Sequence, residues 1–599
     1  MLADRKFIAA LWALALTGVL GLTSCQVREN VEPSLTMQYQ QRLANAAPSA
    51  RLESDLYRPV PGTTGPTLQV LTDEQTGRRY VPLSINEAMY RALANDPNVR
   101  VVAYEPSITY EDFIKAEAAF DWVLDANTAF IKTHAPNRAS RTDIISEEFP
   151  FQIGATKPLV TGGQFSAAYG FTHRVENTPV GVLSPSVEND LTFRLTQPLL
   201  RNAGPEVNLA NVHVAKLNYA ISEESFRAAV LDEILQIQSL YWQLVQARQV
   251  YQIQEELVGI TEQLYQRILA RGPLDASRVQ IAQAIAAVES RRAALVQATR
   301  NIGDIQDQLI SRMADASIPL PQDVAVIPTS TWSTERVVID PADQLAVALK
   351  YSPELSRART AIEVNHINVM VARNQELPRL DFSAGTTVQG FDETYRESFE
   401  NLWEFDFINY NLALAFQYPL GNRAAIAGRR QALYQLDRSI TALQGTADQV
   451  ALAVRSSIRQ VNAAYDAIQV NEQALRASIE SRDALDARLR NMGQLTPETM
   501  QLQLTAQEQV SASQQALVQA QADYNIGLAS LARSTGTSIR QAGILIKDTG
   551  EDYVRQFSER IKTEAAQQPV VPPPGEPSPA PRVEPYRRPW YLLPSPLAP

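Results

Sequence analysis

The chain has 599 residues and a formal net charge of −11, which argues against a nucleic-acid binder, because such a protein needs a basic face to release counterions. Its 25 glycines are few for this length, and no region shows the strand and short-helix punctuation of an α/β enzyme. Long tracts rich in Ala, Gln, Leu, Arg and Glu have instead the composition of extended helices and coiled coils, and a single cysteine excludes an intramolecular disulfide.

The chain opens "MLADRKFIAALWALALTGVLGLTSC", with Arg5 and Lys6 ahead of an uncharged apolar run from Phe7 to Leu20. That is the layout of a secretory signal over residues 1–24, too short for a comfortable membrane span. "LTSC" resembles the bacterial lipobox, which implies that Cys25 is lipidated and becomes the first mature residue; the plain alternative is an ordinary residue just past a cleavage site. Gln26 rather than Asp follows it, which by the sorting habit of such lipoproteins implies the outer membrane. Beyond Cys25 no stretch reaches the eighteen or so apolar residues of a spanning helix, so any crossing must be a closed β-barrel. Residues 25–82 read as a tether.

From Leu83 the pattern sharpens. "LSINEAMYRALANDP" places Ser84 as an N-cap with Glu87 three residues on, a capping box ahead of an apolar-periodic run. Its counterpart is "IDPADQLAVALKYSP" from Ile339. Both short helices stop before a proline, Pro97 and Pro353, because the residue before proline disfavours the α region. A second helix follows in each half, to about Phe120 and about Leu377, with a kink or split expected at Pro106.

Strands come next. "WVLDANTAF" from Trp122 sets Trp122, Leu124, Ala126 and Phe130 against Asp125 and Asn127. "FSAAYGFTH" aligns Phe165, Tyr169 and Phe171, and "LTFRLTQ" aligns Leu191, Phe193 and Leu195. In the second half "LDFSAGTTV" opposes Leu380, Phe382, Ala384 and Val388 to Asp381, Ser383 and Thr387, and Leu412, Leu414, Phe416 and Tyr418 complete the set. Period two with one apolar and one polar face fits a soluble sheet or a barrel in lipid. The first half holds four candidates, 122–130, 151–157, 164–173 and 191–197, with "PLVTGGQ" as the turn between the middle two.

Each set of strands breaks at a Pro-Leu pair and enters a very long helical tract. Glu206 to Arg271 is proline-free over 66 residues, roughly 100 Å of helix. Val230, Ile234, Ile237, Tyr241, Leu244, Ile253, Leu257, Ile260 and Leu264 follow steps of three and four, a coiled-coil seam. A return helix runs from about Leu274 to Met313. Pro198 and Pro419 lie 221 positions apart, as do the breaks at Gly272 and Gly493, so the chain is internally duplicated. The lengths predict a wall in which one continuous helix lies beside two collinear shorter ones.

Taken in order, "LSINEAMYRALANDPNVR", "AAFDWVLDANTAF", "TQPLLRNAG", "GPLDAS", "YSPELSRART", "NQELPRLDFSAG", "FQYPLGNRAAIAGRRQA" and "ADYNIGLASLARSTGT" resemble the TolC family of bacterial outer-membrane channels, over about Leu83 to Thr537. The resemblance implies a mainly α fold with membrane β-strands: a trimeric β-barrel continued by a long α-helical coiled-coil tunnel. Family members commonly place two strands in each half, so the four candidates of the first half depart from the pattern. The implied domains are a first repeat over 83–316, a linker over 317–338, a second repeat over 339–537, a helical extension over 538–568 and a proline-rich tail over 569–599.

By the same resemblance the two helix breaks form periplasmic tips that bind an adaptor and close an entrance gate. The residues carried over are Gly272, Leu274 and Ser277 in the first tip, and Gly493, Leu495, Thr496 and Glu498 in the second. The same residues would serve as helix stops and N-caps in any case. The entrance aspartates of the best-known members are not matched, since the region reads "PETMQLQL" with only Glu498 nearby. Pro198 and Pro419 mark where strand hands over to helix. His134, His173, His213 and His366 have neither metal-ligand spacing nor a nucleophile partner, and no phosphate loop or catalytic carboxylate pair stands out. No enzyme activity, cofactor or metal is therefore expected. Tyr586, Arg587, Arg588, Trp590 and Tyr591 in the tail suit a partner or cell-wall contact, or solvent. The expected function is a passive exit duct in the outer membrane, lipid-anchored and extending into the periplasm. Its expected partners are two further copies of itself, a periplasmic adaptor, an inner-membrane pump of the RND, ABC or MFS type, and outer-membrane lipid. A closed coiled-coil spacer between envelope layers is the alternative.

Overall fold

A computed structural model describes residues 77–136, 143–177, 183–271, 278–315, 324–492 and 496–545, with residues 68, 70–72, 318 and 593–594 besides. A short strand β1 (Leu71–Thr72) and β2 (Arg79–Leu83) lead into α1 (Ile85–Asn95) and α2 (Pro97–Ala118). The capping box is present, with the Ser84 side chain accepting from the Glu87 N–H at 3.2 Å. Helix α2 runs unbroken through Pro106, whose ring is buried; the split allowed for at that residue does not occur.

The sheet that follows contains all four strands expected of the first half and one more, β4. Strands β3 (Val123–Thr128), β4 (Ile131–Pro136), β5 (Asp143–Pro158), β6 (Gln164–Glu176) and β7 (Ser186–Pro198) all precede the first long helix. β3 and β4 pair with successive stretches of β5, so together they fill one position in the sheet. The interruption between them sits opposite Pro150, which has no N–H to donate to a neighbour; its carbonyl instead accepts from the Ala129 N–H at 3.1 Å. The hairpin β5–β6 forms where the candidates 151–157 and 164–173 stood, with "PLVTGGQ" as its turn. It belongs to the same sheet as everything else.

After a single helical turn at Pro205–Asn208 come α3 (Ala210–Arg271) and α4 (Arg278–Met313), then β8 (Val324–Pro328), which pairs in parallel with β2. The long tract therefore breaks once at Leu209 before its 62-residue run. The second repeat contains α5 (Pro341–Tyr351), α6 (Pro353–Gln375), β9 (Arg379–Asp392), α7 (Tyr395–Glu404), β10 (Phe407–Gln417), α8 (Arg423–Met492) and α9 (Pro497–Ser534). The large sheet runs in the order β10-β9-β7-β6-β5-β3/β4, antiparallel throughout.

The helices form one wall. α2 and α4 each pack on α3, and α6 and α9 each pack between α3 and α8, so each long helix does lie beside two shorter ones. At about 1.5 Å per residue α3 and α8 reach roughly 95–105 Å. The seam residues Val230, Ile234, Ile237, Tyr241 and Leu244 are fully buried. They join α1, β2, β8 and the end of α4 in the main core, around Val81, Leu83, Leu309, Met313 and Val326. Full burial of one such side chain stabilises by about 1.5–3 kcal/mol. Tyr241 also closes this core in polar terms: its hydroxyl donates to the Leu83 carbonyl and accepts from the Ser330 N–H, both at 2.9 Å. Tyr524 and Asn525 of α9 hold residues 333–337 in the same manner.

Candidate functional site

Two regions carry the predicted functional residues: the ends of the helical hairpins and the junctions between strands and helices. At the hairpin ends, Gly272, Leu274, Ser277, Gly493 and Leu495 lie outside the described residues, as does Cys25. Thr496 is the N-cap of α9, its side chain accepting from the Thr499 N–H at 3.3 Å. Glu498 is exposed in the first turn of that helix, where a carboxylate meets the positive end of the helix dipole.

Just inside these ends the four helices are tied by a device that sequence reasoning missed. Leu264, Ile268, Ala284, Met500 and Leu504 form a small apolar cluster across α3, α4 and α9. Buried beside it, the Arg291 guanidinium of α4 donates to the Thr261 hydroxyl of α3 and, at 3.1 Å, to the Leu504 carbonyl of α9. Burial pushes the Arg291 pKa down, with Glu508 pulling the other way. Gln503 of α9 donates to Asp486 of α8 at 3.1 Å. The two repeats are thus coupled within a few turns of both tips. "ESRRAAL" reads as an ordinary exposed helix face, and nothing in that string distinguishes the buried Arg291 from the exposed Arg292, which pairs with Glu262 and Glu289.

At the junctions, Pro198 is the last residue of β7, in register with Asp381, and Pro419 follows β10. Both are succeeded by a residue in the left-handed region, Asn202 (φ 64) and Asn422 (φ 39), beside Gly204 (φ 96) and Gly421 (φ 85). Glycine and asparagine tolerate that region where branched or bulky residues do not. The Leu199 N–H donates to the Leu380 carbonyl at 2.7 Å and the Arg201 guanidinium to Gln375 at 2.8 Å. Asn422 donates to the Glu376 carbonyl at 2.9 Å. Each junction is therefore bonded to the C-terminal end of α6 or the start of β9, which places strand entry and strand exit at one level.

The sheet itself carries two contrasting faces. Its cross-strand pairs place Leu412, Leu414 and Phe416 of β10 level with Ala384, Phe382 and Leu380 of β9. Leu191, Phe193 and Leu195 continue that face on β7, then Tyr169, Ala167 and Phe165 on β6, and Ile153 and Ala155 on β5. The opposite face holds Asp381, Ser383 and Thr387, Thr192 and Thr196, Ser166 and Thr172, and Gln152 and Thr156. Leu412, Leu414 and Phe416 are 67–75% exposed. Among the described residues no helix is long and apolar enough to span a bilayer, and no three His, Cys, Asp or Glu side chains group as a metal site requires. His134 hydrogen-bonds Asp143 on the exposed edge.

Residues 345–537 match the outer membrane efflux protein family. That stretch lies within the second repeat. In three dimensions the chain has the fold of the TolC-like channels, mostly helical with one large antiparallel sheet. A membrane protein from Pseudomonas aeruginosa superposes with a TM-score of 0.57 at 14% identity, over 80% of this chain and 98% of its own. The CmeC outer membrane channel of Campylobacter jejuni gives 0.55 at 14%, over 80% and 89%. The outer membrane protein VceC of Vibrio cholerae gives 0.54 at 17%, over 76% and 96%. No curated protein sequence matches the chain. The outer membrane efflux proteins are channels and not enzymes; what the described residues near the tips do is hold the helices in register.

Proposed function

We propose that this protein is the outer-membrane exit duct of a tripartite efflux or type I secretion system. Three copies pool their sheets into one barrel, and their helices continue as a tunnel through the periplasm. Cys25 carries the lipid anchor. The tips around Gly272, Leu274, Ser277, Gly493, Leu495, Thr496 and Glu498 meet a periplasmic adaptor, through which an inner-membrane pump delivers cargo. Transport energy comes from that pump.

One observation carries this reading: a sheet with one apolar and one polar face hangs directly on a helical wall roughly 100 Å long. A soluble sheet would cover the whole of its apolar face, yet α7 covers only the end near Phe171 and Gly390, and the β10 side chains on that face lie open. Lipid is the covering that suits them. An 11-residue strand tilted by about 40° rises roughly 28 Å, the height of a bilayer core. The closed spacer alternative leaves the apolar sheet without a purpose.

The test is single-channel conductance of the detergent-purified full chain in a planar lipid bilayer, with its mass measured in parallel. Discrete steps from a trimer establish the duct. A trimer that inserts but stays silent, even after Leu495→Ser at the tip, supports the spacer instead.

A further inference from the structure

The hairpin β5–β6 changes the size of the barrel. We infer that it is part of the barrel wall, so that each copy supplies six strand positions and three copies close an eighteen-stranded barrel, β10 of one copy pairing with β3/β4 of the next. This rests on the channel reading above and extends it to the barrel's width and to the surface through which copies join.

Four observations place the hairpin in the wall. Its pairing is continuous: β5 and β6 are in register from Ser146–Glu176 to Pro158–Gln164, and β6 and β7 from Gln164–Thr196 to Arg174–Ser186. Its outer face continues the apolar band without a gap, through Phe165, Ala167 and Tyr169 on β6 and Phe151, Ile153 and Ala155 on β5. Charge bounds the band at both ends, with Lys157 5.9 Å from the Trp122 ring below and the Lys132–Glu147 pair at 2.7 Å above. That is the layout of a strand crossing a bilayer, with the lysine stem lying along apolar surface and its head at the interface.

The hairpin is also fastened at both ends to elements of the wall. At the junction end its turn meets the β7-to-helix corner, where the Gly204 N–H donates to the Thr161 carbonyl at 3.0 Å and the Thr161 hydroxyl to Gln197 at 2.8 Å. A Cβ on Gly162 would lie 2.2 Å from the Asn202 carbonyl oxygen, so the turn sits hard against that corner. At the other end α7, from the second repeat, lies on β6: Tyr395 packs on Phe171 with ring centroids 5.3 Å apart, and Phe399 on Tyr169 at 6.4 Å.

Closure then follows from direction. Strands alternate along β3/β4, β5, β6, β7, β9 and β10, so the two edges of each copy run in opposite senses. An even count lets β10 meet β3/β4 of the next copy as one more antiparallel pair; an odd count would force a parallel seam. Both edges are of comparable length, and each pairs on one side only among the described residues. Unsatisfied backbone cannot face lipid, so these edges must be covered, and identical copies cover each other by construction. Barrel diameter grows about linearly with strand number, so eighteen strands make a bore about one and a half times that of the twelve expected from two strands per half.

The test images the full-length trimer in lipid nanodiscs by electron cryomicroscopy and labels single cysteines introduced into the chain with Cys25 kept, the parent chain serving as the labelling blank. Eighteen strands are expected. Cysteines at Ala155 and Ala167 should resist a water-soluble maleimide and have their fluorophores quenched by nitroxide lipids, while those at Thr156 and Ser166 should behave in the opposite way. A conducting trimer with twelve wall strands, or with all four positions open to water, overturns the eighteen-stranded barrel and leaves the duct intact. A non-conducting monomer overturns both.

Discussion

The backbone N–H of Asn202 donates to the side-chain oxygen of Asn374 at 2.6 Å, joining the end of β7 to the end of α6 across the duplicated halves. Gln375 returns a bond to the Asn202 side chain at 2.7 Å. Asn202 sits at φ 64, so two effects separate by substitution. Asn202→Gly keeps the backbone geometry and loses the Gln375 bond, at about 1 kcal/mol. Asn202→Ala adds a left-handed alanine, about 1–2 kcal/mol more. The melting temperature of the detergent-solubilised protein should fall in the order wild type, Gly, Ala. Equal losses for the two variants would mean that the conformation at this corner does not matter.

Arg291 is expected to hold the hairpin ends together. Arg291→Ala leaves the Thr261 hydroxyl and the Leu504 carbonyl without their buried donor, each worth about 1–3 kcal/mol. Since these groups lie on α3 and α9, their loosening should free the tips, and unitary conductance should rise while the barrel's heat-modifiable migration stays unchanged. Arg291→Lys keeps the charge but not the fork of donors, and should fall between. Conductance that does not move with either variant removes Arg291 from the gate.

Legibility followed the range of the physics. Capping at Ser84, proline stops at Pro97 and Pro353, and the seam from Val230 to Leu264 are set by neighbours within a turn or two, and all could be read from the string. The 221-residue repeat told which helices would lie side by side. What could not be read depends on distant partners. β2 and β8 pair in parallel across some 240 positions. The break between β3 and β4 answers to Pro150 on another strand, and α7 shows only "YRESFENLWE", whose apolar face matters because β6 and β9 lie beneath it. At the tips the string offered glycines and caps, whereas Arg291 emerges only from the packing of three helices.

Gly390 tests that seat. A Cβ there would lie 2.0 Å from the Ser398 carbonyl oxygen and 2.6 Å from the Leu402 nitrogen, both backbone atoms of α7. Gly390→Ala should therefore lift α7 and break the Ser398 hydroxyl bond to the Gly390 carbonyl, now 2.8 Å. A loss of about 1–3 kcal/mol is expected from such overpacking. Limited proteolysis should newly cut within 393–406 while the long helices stay resistant. An unchanged digest means that α7 accommodates the methyl.

Glu233 makes stability depend on pH. Its carboxyl is buried in the helical core beside Asp96, with Arg312 at 2.8 Å as its cation, and one of its oxygens has no hydrogen-bond partner. Burial first, and then the Asp96 charge, push its pKa up from an ordinary 4.5 to about 7, while Arg312 pulls it back. The folded state thus keeps a proton that the unfolded chain has released between those two values. Unfolding free energy must then fall as pH rises from about 4.5 through 7, and level off above. Glu233→Gln is neutral at every pH, so its melting temperature should match wild type near pH 5, exceed it by a few degrees at pH 8, and vary less in between. Parallel melting curves across that window would show that Arg312 holds Glu233 fully ionised.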